Sequence, residues 1–158
     1  MNPPVEAPTS STVWPRAFTG HSARAWASFS AARLQADPRV VNLEATDARS
    51  LDRSLIPEAP GLIVCDASFI GLAKVLAAAL DLAAPGADLV ALVKPQFEVG
   101  PARVGKGGVV KDPAARAEAL EDAKAFLQSC GWIVQASADS PIAGGDGNRE
   151  FLLWALKP

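Results

Sequence analysis

Histidine and cysteine are scarce in this chain: His21 is its single histidine, and Cys65 and Cys130 are two thiols far apart in apolar surroundings. A structural metal site needs clustered ligands, so this shortage argues against a metal centre, and both cysteines read as small buried hydrophobes. A run of about 18 uninterrupted apolar residues, the minimum for a membrane helix, is also missing. Residues Met1 to Ser11 lack the basic start and apolar centre of a secretory signal, so a cytoplasmic setting is expected. Neither sign of charge dominates. Fifteen Lys and Arg against seventeen Asp and Glu leave a net charge of -2, too little positive charge for a chain that grips nucleic acid unaided. What is present suits a globular fold: 158 residues, one domain's worth, 49% hydrophobic and 20% charged, enough to bury a real core.

The most informative stretch is the apolar run Asp88-Leu89-Val90-Ala91-Leu92-Val93, which stops on Lys94-Pro95-Gln96-Phe97-Glu98. Entered from a Pro85-Gly86 turn, it reads as a parallel strand buried on both faces, and Pro95 forbids its continuation. Lys94 therefore sits at the carboxyl end of a central strand, where open α/β sheets bind their ligands. Gly61 to Cys65 repeats the pattern and ends on Asp66. Between them Ser68 to Ala84 reads as a helix, which makes a βαβ unit. Val40 to Glu44 reads as an earlier short strand. Asp112-Pro113 opens a second helix with Asp as cap and Pro at its first position. Leu120, Ala123, Phe126, Leu127 and Cys130 form that helix's apolar stripe, and Gly131 stops it. Two strands close the chain, Trp132 to Ala138 and Glu150 to Leu156, joined by a glycine-rich loop from Ser140 to Asn148. The short connection makes the last strand antiparallel to its predecessor. Trp132 and Trp154 are expected in the core.

Between Lys94 and Arg116 five cations face two anions, a local charge of +3. The part of this segment from Val99 to Lys111 lacks obvious apolar anchors, so it is expected to order only on a phosphate backbone and to exchange its amide protons fast when free. Gly100 to Lys106 has the spacing of a phosphate-binding loop, but Gly107 stands where a hydroxyl should hold magnesium, and no strand leads directly into it. Nothing resembles a Gly-x-Gly-x-x-Gly loop after a strand, which argues against a dinucleotide-dependent reductase. The first thirty residues, with Pro3, Pro4, Pro8 and Pro15 and isolated aromatics, show no sustained period.

Several longer motifs occur in order: Asp37-Pro38-Arg39-Val40-Val41, Glu44 to Arg49, Asp66-Ala67-Ser68-Phe69-Ile70, Val93 to Glu98, Val104-Gly105-Lys106-Gly107-Gly108-Val109-Val110, Ser140-Pro141-Ile142 and Gly147 to Trp154. Together they resemble the TlyA (hemolysin A) family of FtsJ-like ribosomal RNA 2′-O-methyltransferases, from near Leu34 to Lys157. The resemblance implies an α/β, class I (Rossmann-like) methyltransferase sheet, mostly parallel with one antiparallel terminal strand at its far end. It also implies S-adenosylmethionine as cofactor, ribosomal RNA or a ribosomal subunit as partner, and a Lys-Asp-Lys-Glu catalytic tetrad. Three tetrad members map onto Asp66, Lys94 and Glu150. Asp66 also falls on the cofactor side, as does Asp47, which resembles the position that contacts the adenine; an Asp opening a turn is the plainer reading of Asp47.

Family members begin with a small RNA-binding domain, the first tetrad lysine and a glycine-rich cofactor loop, and none of these is found before Leu34. Residues 1–33 are thus expected to be an irregular segment foreign to the family, as in a truncated or frame-shifted product. Residues 34–158 are expected to be the carboxy-terminal part of the domain, lacking its first strands, with a half-built cofactor pocket and impaired activity. The rival expectation is a non-catalytic remnant or binding module of the same fold. The chemistry explains the concern. A ribose hydroxyl is a poor nucleophile until its proton is drawn off, and a lysine near its ordinary pKa of about 10.4 cannot do so. A neighbouring cation or burial would free it, whereas two flanking carboxylates hold it as an ammonium.

Overall fold

A computed structural model describes residues 24–25, 37–43, 45–144 and 147–158. The expected irregular segment 1–33 and Glu44 lie almost wholly outside these. Arg24–Ala25 (β1) and Val41–Asn42 (β2) pair in parallel as a two-stranded sheet, so the expected strand at Val40 to Glu44 shortens to two residues. The residues from Asp47 onward form a separate compact unit.

That unit is built on a four-stranded sheet. Leu62–Cys65 (β3) leads through the helix Leu72–Leu82 (α1) to Asp88–Val93 (β4). A single helical turn, Pro95–Glu98 (α2), follows at once. The helix Pro113–Ser129 (α3), then Ile133–Asp139 (β5) and Phe151–Leu156 (β6), complete it. The spatial order is β3-β4-β6-β5, with β3 parallel to β4 and β6 antiparallel to both its neighbours. Three strands run one way and one the other, as the sequence implies. The reversed strand does not lie at the far end, however: β6 is inserted between β4 and β5, because a short hairpin folds it back beside β5 on the side facing β4.

The helices seal one face of this sheet. Leu72, Val75, Leu76 and Leu80, at spacings of three and four, line up on α1 and meet Ile63, Leu89, Ala91, Val93, Leu153 and Ala155. On α3 the buried stripe is Ala115, Ala119, Ala123 and Leu127. Its second half joins the main core with Trp132, while Ala115 and Ala119 join Val99 and Val110 in a smaller cluster. Trp132 is buried as expected. Trp154 is half-buried, and its indole N–H donates to Asp88 Oδ1 at 2.8 Å.

Several expectations need correction. β4 is buried on one face only: Leu89, Ala91 and Val93 are at most 1% exposed, whereas Asp88, Val90 and Leu92 are half-buried and neighbouring Val64 is 70% exposed. Helix α1 starts at Leu72, not Ser68, because Phe69 has a left-handed φ of 65° and Gly71 is extended. Cys130 is exposed at the end of α3, where Gly131, with φ of 79°, stops the helix. Cys65 fits its expectation better: it is partly covered, and burial pushes its thiol pKa up. Asp112 caps α3 as read, accepting from Ala114 N at 2.9 Å.

The segment from Val99 to Lys111 also departs from the reading of an anchorless loop. Val99 and Val110 are buried. Gly105 N and Val109 O bond at 3.0 Å, and Gly108 N reaches Gly105 O at 3.1 Å. Buried Asn148 clamps the turn from the other side: its Oδ1 accepts from Val110 N at 3.1 Å and its Nδ2 donates to Gly108 O at 3.0 Å. The glycines had hidden the valines between them.

Candidate active site at the carboxyl edge of the sheet

The register puts the three tetrad candidates at one edge. Cys65 pairs with Ala91 and Val93 with Phe151, so Asp66, Lys94 and Glu150 follow β3, follow β4 and precede β6 at the same end. Only the reversal of β6 allows this, since it turns the start of the last strand toward the carboxyl ends of the others.

Asp66 and Lys94 touch. Lys94 Nζ lies 2.6 Å from Asp66 Oδ1 and donates to Ser68 Oγ at 3.1 Å. The pair is lopsided: the Lys94 side chain is 12% exposed and that of Asp66 64%. Asp66 does not cap the following helix, which begins six residues later; it is left to hold the ammonium. That helix is capped from elsewhere. Glu98 Oε1 accepts from Leu72 N at 2.9 Å, and burial raises the Glu98 pKa above the ordinary carboxylate range. A Cβ on Gly71 would come within 3.0 Å of Glu98 Oε2, so the glycine makes room for the cap.

Glu150 is buried, at 6% exposure, and belongs to a different set of contacts. Its Oε1 accepts from Gln96 Nε2 at 3.2 Å. Gly144 packs against the carboxylate so closely that a Cβ there would fall 2.1 Å from Oε1. Among the described residues Gln96 Oε1 is buried without a hydrogen-bond partner. Asp47 stands apart in kind. It caps the 3-10 turn Ala48–Ser50 and grips Arg49, whose Nη2 lies 2.5 Å from Oδ2; the hydrogen bonds from Arg49 hold its pKa down at about 2. The structure therefore gives it the turn role at least.

Sequence reading missed the groove beside Lys94. Phe69, Gln96, Phe97, Gly100, Pro101 and Val104 line an open cavity of about 460 Å³. Phe69 is 91% exposed and its ring centre lies 5.1 Å from that of Phe97. Its left-handed backbone turns a large apolar ring into solvent, which the core does not require. The available signal was its place three residues beyond Asp66. The charge expected on the neighbouring segment is partly neutralised: Arg103 forks onto Glu118 at 2.6 and 3.0 Å, and Arg116 donates to the carbonyls of Val110 and Lys111. Among the described residues Lys106 and Lys111 carry no ion pair, and no group of three His, Cys, Asp or Glu could hold a metal. No helix there is long and apolar enough to cross a membrane.

The model of the FtsJ-like methyltransferase family matches residues 27–157. This chain belongs to that family. Within it, the chain is 45% identical over 138 residues to the 16S/23S rRNA (cytidine-2′-O)-methyltransferase TlyA of Mycobacterium tuberculosis, covering 87% of this chain and 49% of that protein. Hemolysin A of Brachyspira hyodysenteriae is 34% identical over 121 residues, 76% of this chain and 50% of its own. A solved Streptococcus thermophilus structure bearing the hemolysin name superposes with a TM-score of 0.79 at 33% identity, over 85% of this chain and 50% of that one. The TlyA resemblance is thus borne out. The FtsJ-like chain spans about half the length of these relatives.

Methyltransferases of this fold use a donor of the S-adenosylmethionine type, and the described residues fit it incompletely. Of the two residues expected to meet it, Asp66 is engaged with Lys94 and Asp47 with Arg49. A Cβ added at the left-handed glycines, Gly86, Gly100, Gly107, Gly108, Gly131 and Gly147, would meet nothing within 4 Å.

Proposed function

We propose that this chain carries the hydroxyl-handling half of an S-adenosylmethionine-dependent methyltransferase that modifies ribose 2′-hydroxyls of ribosomal RNA in the cytoplasm. The observation that carries the reading is that the Asp66–Lys94 pair and buried Glu150 stand at the same end of one sheet, near an aromatic groove, in a chain matched to the family over most of its length. In the reaction, the donor supplies an electrophilic methyl group; the residues here act on the other partner. Lys94 would meet the ribose hydroxyl, Asp66 would orient both, and Glu150, steadied by Gln96, would complete the hydrogen-bond network. Phe69 and Phe97 offer a stacking surface for the base of an unstacked nucleotide, worth about 1–3 kcal/mol per base. Lys106 and Lys111, unpaired by acids, would meet phosphates.

A second reading, a non-catalytic binding module, draws on the same ion pair. An ammonium held by a carboxylate at 2.6 Å donates hydrogen bonds and accepts no proton. A second cation near it would be needed to release a lysine base, and the family places that lysine in the part this chain does not match.

The deciding experiment fuses the preceding portion of a relative, with its RNA-binding domain, first lysine and glycine loop, in register before Asp37. Transfer of a radiolabelled methyl group to rRNA ribose is then measured. The fusion is expected to methylate, and Lys94→Ala to lower turnover by about a hundredfold or more, the usual loss for a general base. Activity that survives Lys94→Ala places the base elsewhere. A folded but inactive fusion favours the binding module.

A further inference from the structure

A second groove, of about 290 Å³, lies between α3 and the start of β6. Half-buried Leu120 and Phe151 form its floor; Arg116 and Glu121 on α3, Asp139 at the end of β5 and Arg149 just before β6 stand around it. The charges are sorted by height. Strand β5 runs the same way as β4, so α3, which leads from one to the other, descends from the edge that carries Lys94. Arg116 is in the first turn of α3, and Glu121 is five residues farther down, about 7.5 Å along the axis. Arg149 precedes Phe151, the residue that pairs with both Val93 and Asp139. The cationic end of the groove is therefore the end that opens on the catalytic edge. Its charges are also the available ones. Glu121 is held by Lys124 at 2.8 Å, which leaves Asp139 as the groove's one acid without an ion pair among the described residues. Arg116 spends only Nη1, on the carbonyls of Val110 and Lys111, and exposed Arg149 makes no side-chain bond there at all. Two guanidinium groups facing one groove repel each other until an anion joins them, and the arginine fork matches phosphate oxygens in pairs.

We propose that Arg116 and Arg149 bind a backbone phosphate of the RNA strand next to the nucleotide whose ribose meets Lys94, with the adjoining sugar resting on Leu120 and Phe151. This rests on the RNA reading given above and adds to it a site on the α3 side of the edge, away from the Phe69–Phe97 groove. The spacing of the cations argues for a strand over a lone anion. Arg116 is bonded to the backbone of Lys111, and Asn148, the residue before Arg149, bonds Val110 N and Gly108 O. Lys106, Lys111, Arg116 and Arg149 thus belong to one connected stretch of surface, a row of separate charges such as a polyanion would follow. Arg149 is the specific contact, because Arg116 also ties down the loop.

The test is affinity, read without methyl transfer. Binding of a fluorescein-labelled single-stranded oligoribonucleotide to this chain is followed by anisotropy over a range of salt. Arg149→Gln is expected to weaken binding about threefold or more at low salt and to shrink the slope of log affinity against log salt by about 0.7, the value of one phosphate on a single strand. Arg149→Glu should weaken it further. Tm of both variants should match that of the parent chain, since Arg149 is exposed and holds nothing in the fold. Lys74→Gln, which removes an equal charge from the exposed side of α1, should change neither affinity nor slope. An Arg149→Gln chain that binds as the parent does overturns the proposal, as does an equal effect of Lys74→Gln, or a parent chain that binds no RNA. Lys106→Gln combined with Lys111→Gln keeps the two failures apart: if that pair weakens binding and Arg149→Gln does not, the groove falls and the RNA reading stands.

Discussion

Asp66 and Glu150 stand at the same edge of one sheet, yet Asp66 keeps 64% of its side chain in solvent while Glu150 is 6% exposed. The same contrast separates two further acids in the unit: Asp47, exposed and paired with Arg49, and Glu98, partly buried over the start of α1. The exposed pair have cations 2.5–2.6 Å away. The covered pair bond to neutral partners, an amide side chain and a backbone N–H. Short ion pairs at a surface contribute little to stability, whereas a covered carboxylate has nowhere else to go if its partner is lost. The exposed acids thus sit in solvent-screened ion pairs, and the covered ones hold the frame.

The largest effect should come from Gly144→Ala. Its Cβ would fall 2.1 Å from Glu150 Oε1 and 2.6 Å from Cδ, forcing a buried side chain out of place. Chemical denaturation should show a loss of about 1–3 kcal/mol, the range for overpacking. A neutral result would mean that Glu150 swings freely into solvent, and the contrast with Asp66 would collapse.

Next in size is Glu98→Ala, which leaves Leu72 N without its acceptor and should cost about 1 kcal/mol. Glu98→Gln keeps an acceptor and should lose less. The pH dependence separates them. The folded-state pKa of Glu98 is raised, so its favourable contribution is full below the unfolded carboxylate range and is lost as pH rises through the raised value. Stability of the native chain relative to the Gln variant should therefore improve as pH falls. A change in the opposite direction would show that the carboxylate form is the one the helix start favours.

The smallest effect belongs to Asp47→Asn. With its pKa lowered to about 2, Asp47 contributes above the ordinary aspartate range and loses that contribution as pH falls through about 2. Exposure and salt screening make it weak. Tm at neutral pH should barely move, and a large shift would promote Asp47 from a turn cap to part of the frame.

Much of this was legible in the chain before any coordinates. The caps at Asp112 and Gly131, the strand ends at Cys65 and Val93, and the edge shared by Asp66, Lys94 and Glu150 follow from periodicity, turn residues and motif order. Other features were not legible for stated reasons. The start of α1 depends on Glu98, 26 residues away, which no local rule contains. The order of the 105–110 turn depends on Asn148, still farther along. The exposed face of β4 looks like a buried one in sequence, because apolar residues are written the same way whether or not an element packs on them. Phe69 was visible only as a motif letter until its backbone angle turned it outward.

The insertion of β6 between β4 and β5 also governs the order in which the site can come into being. One of the two interior strands of this sheet, β6, follows all the others in the chain, so a nascent chain emerging through Asp139 has β4 and β5 but no strand to join them. The helix α3 can wrap on early, yet Asn148 and Glu150 arrive only just ahead of β6, and with them the clamp on the 105–110 turn. Closure of this sheet therefore waits for β6 rather than proceeding strand by strand along the emerging chain. A premature stop before Phe151 would remove the keystone of the sheet rather than trim its border.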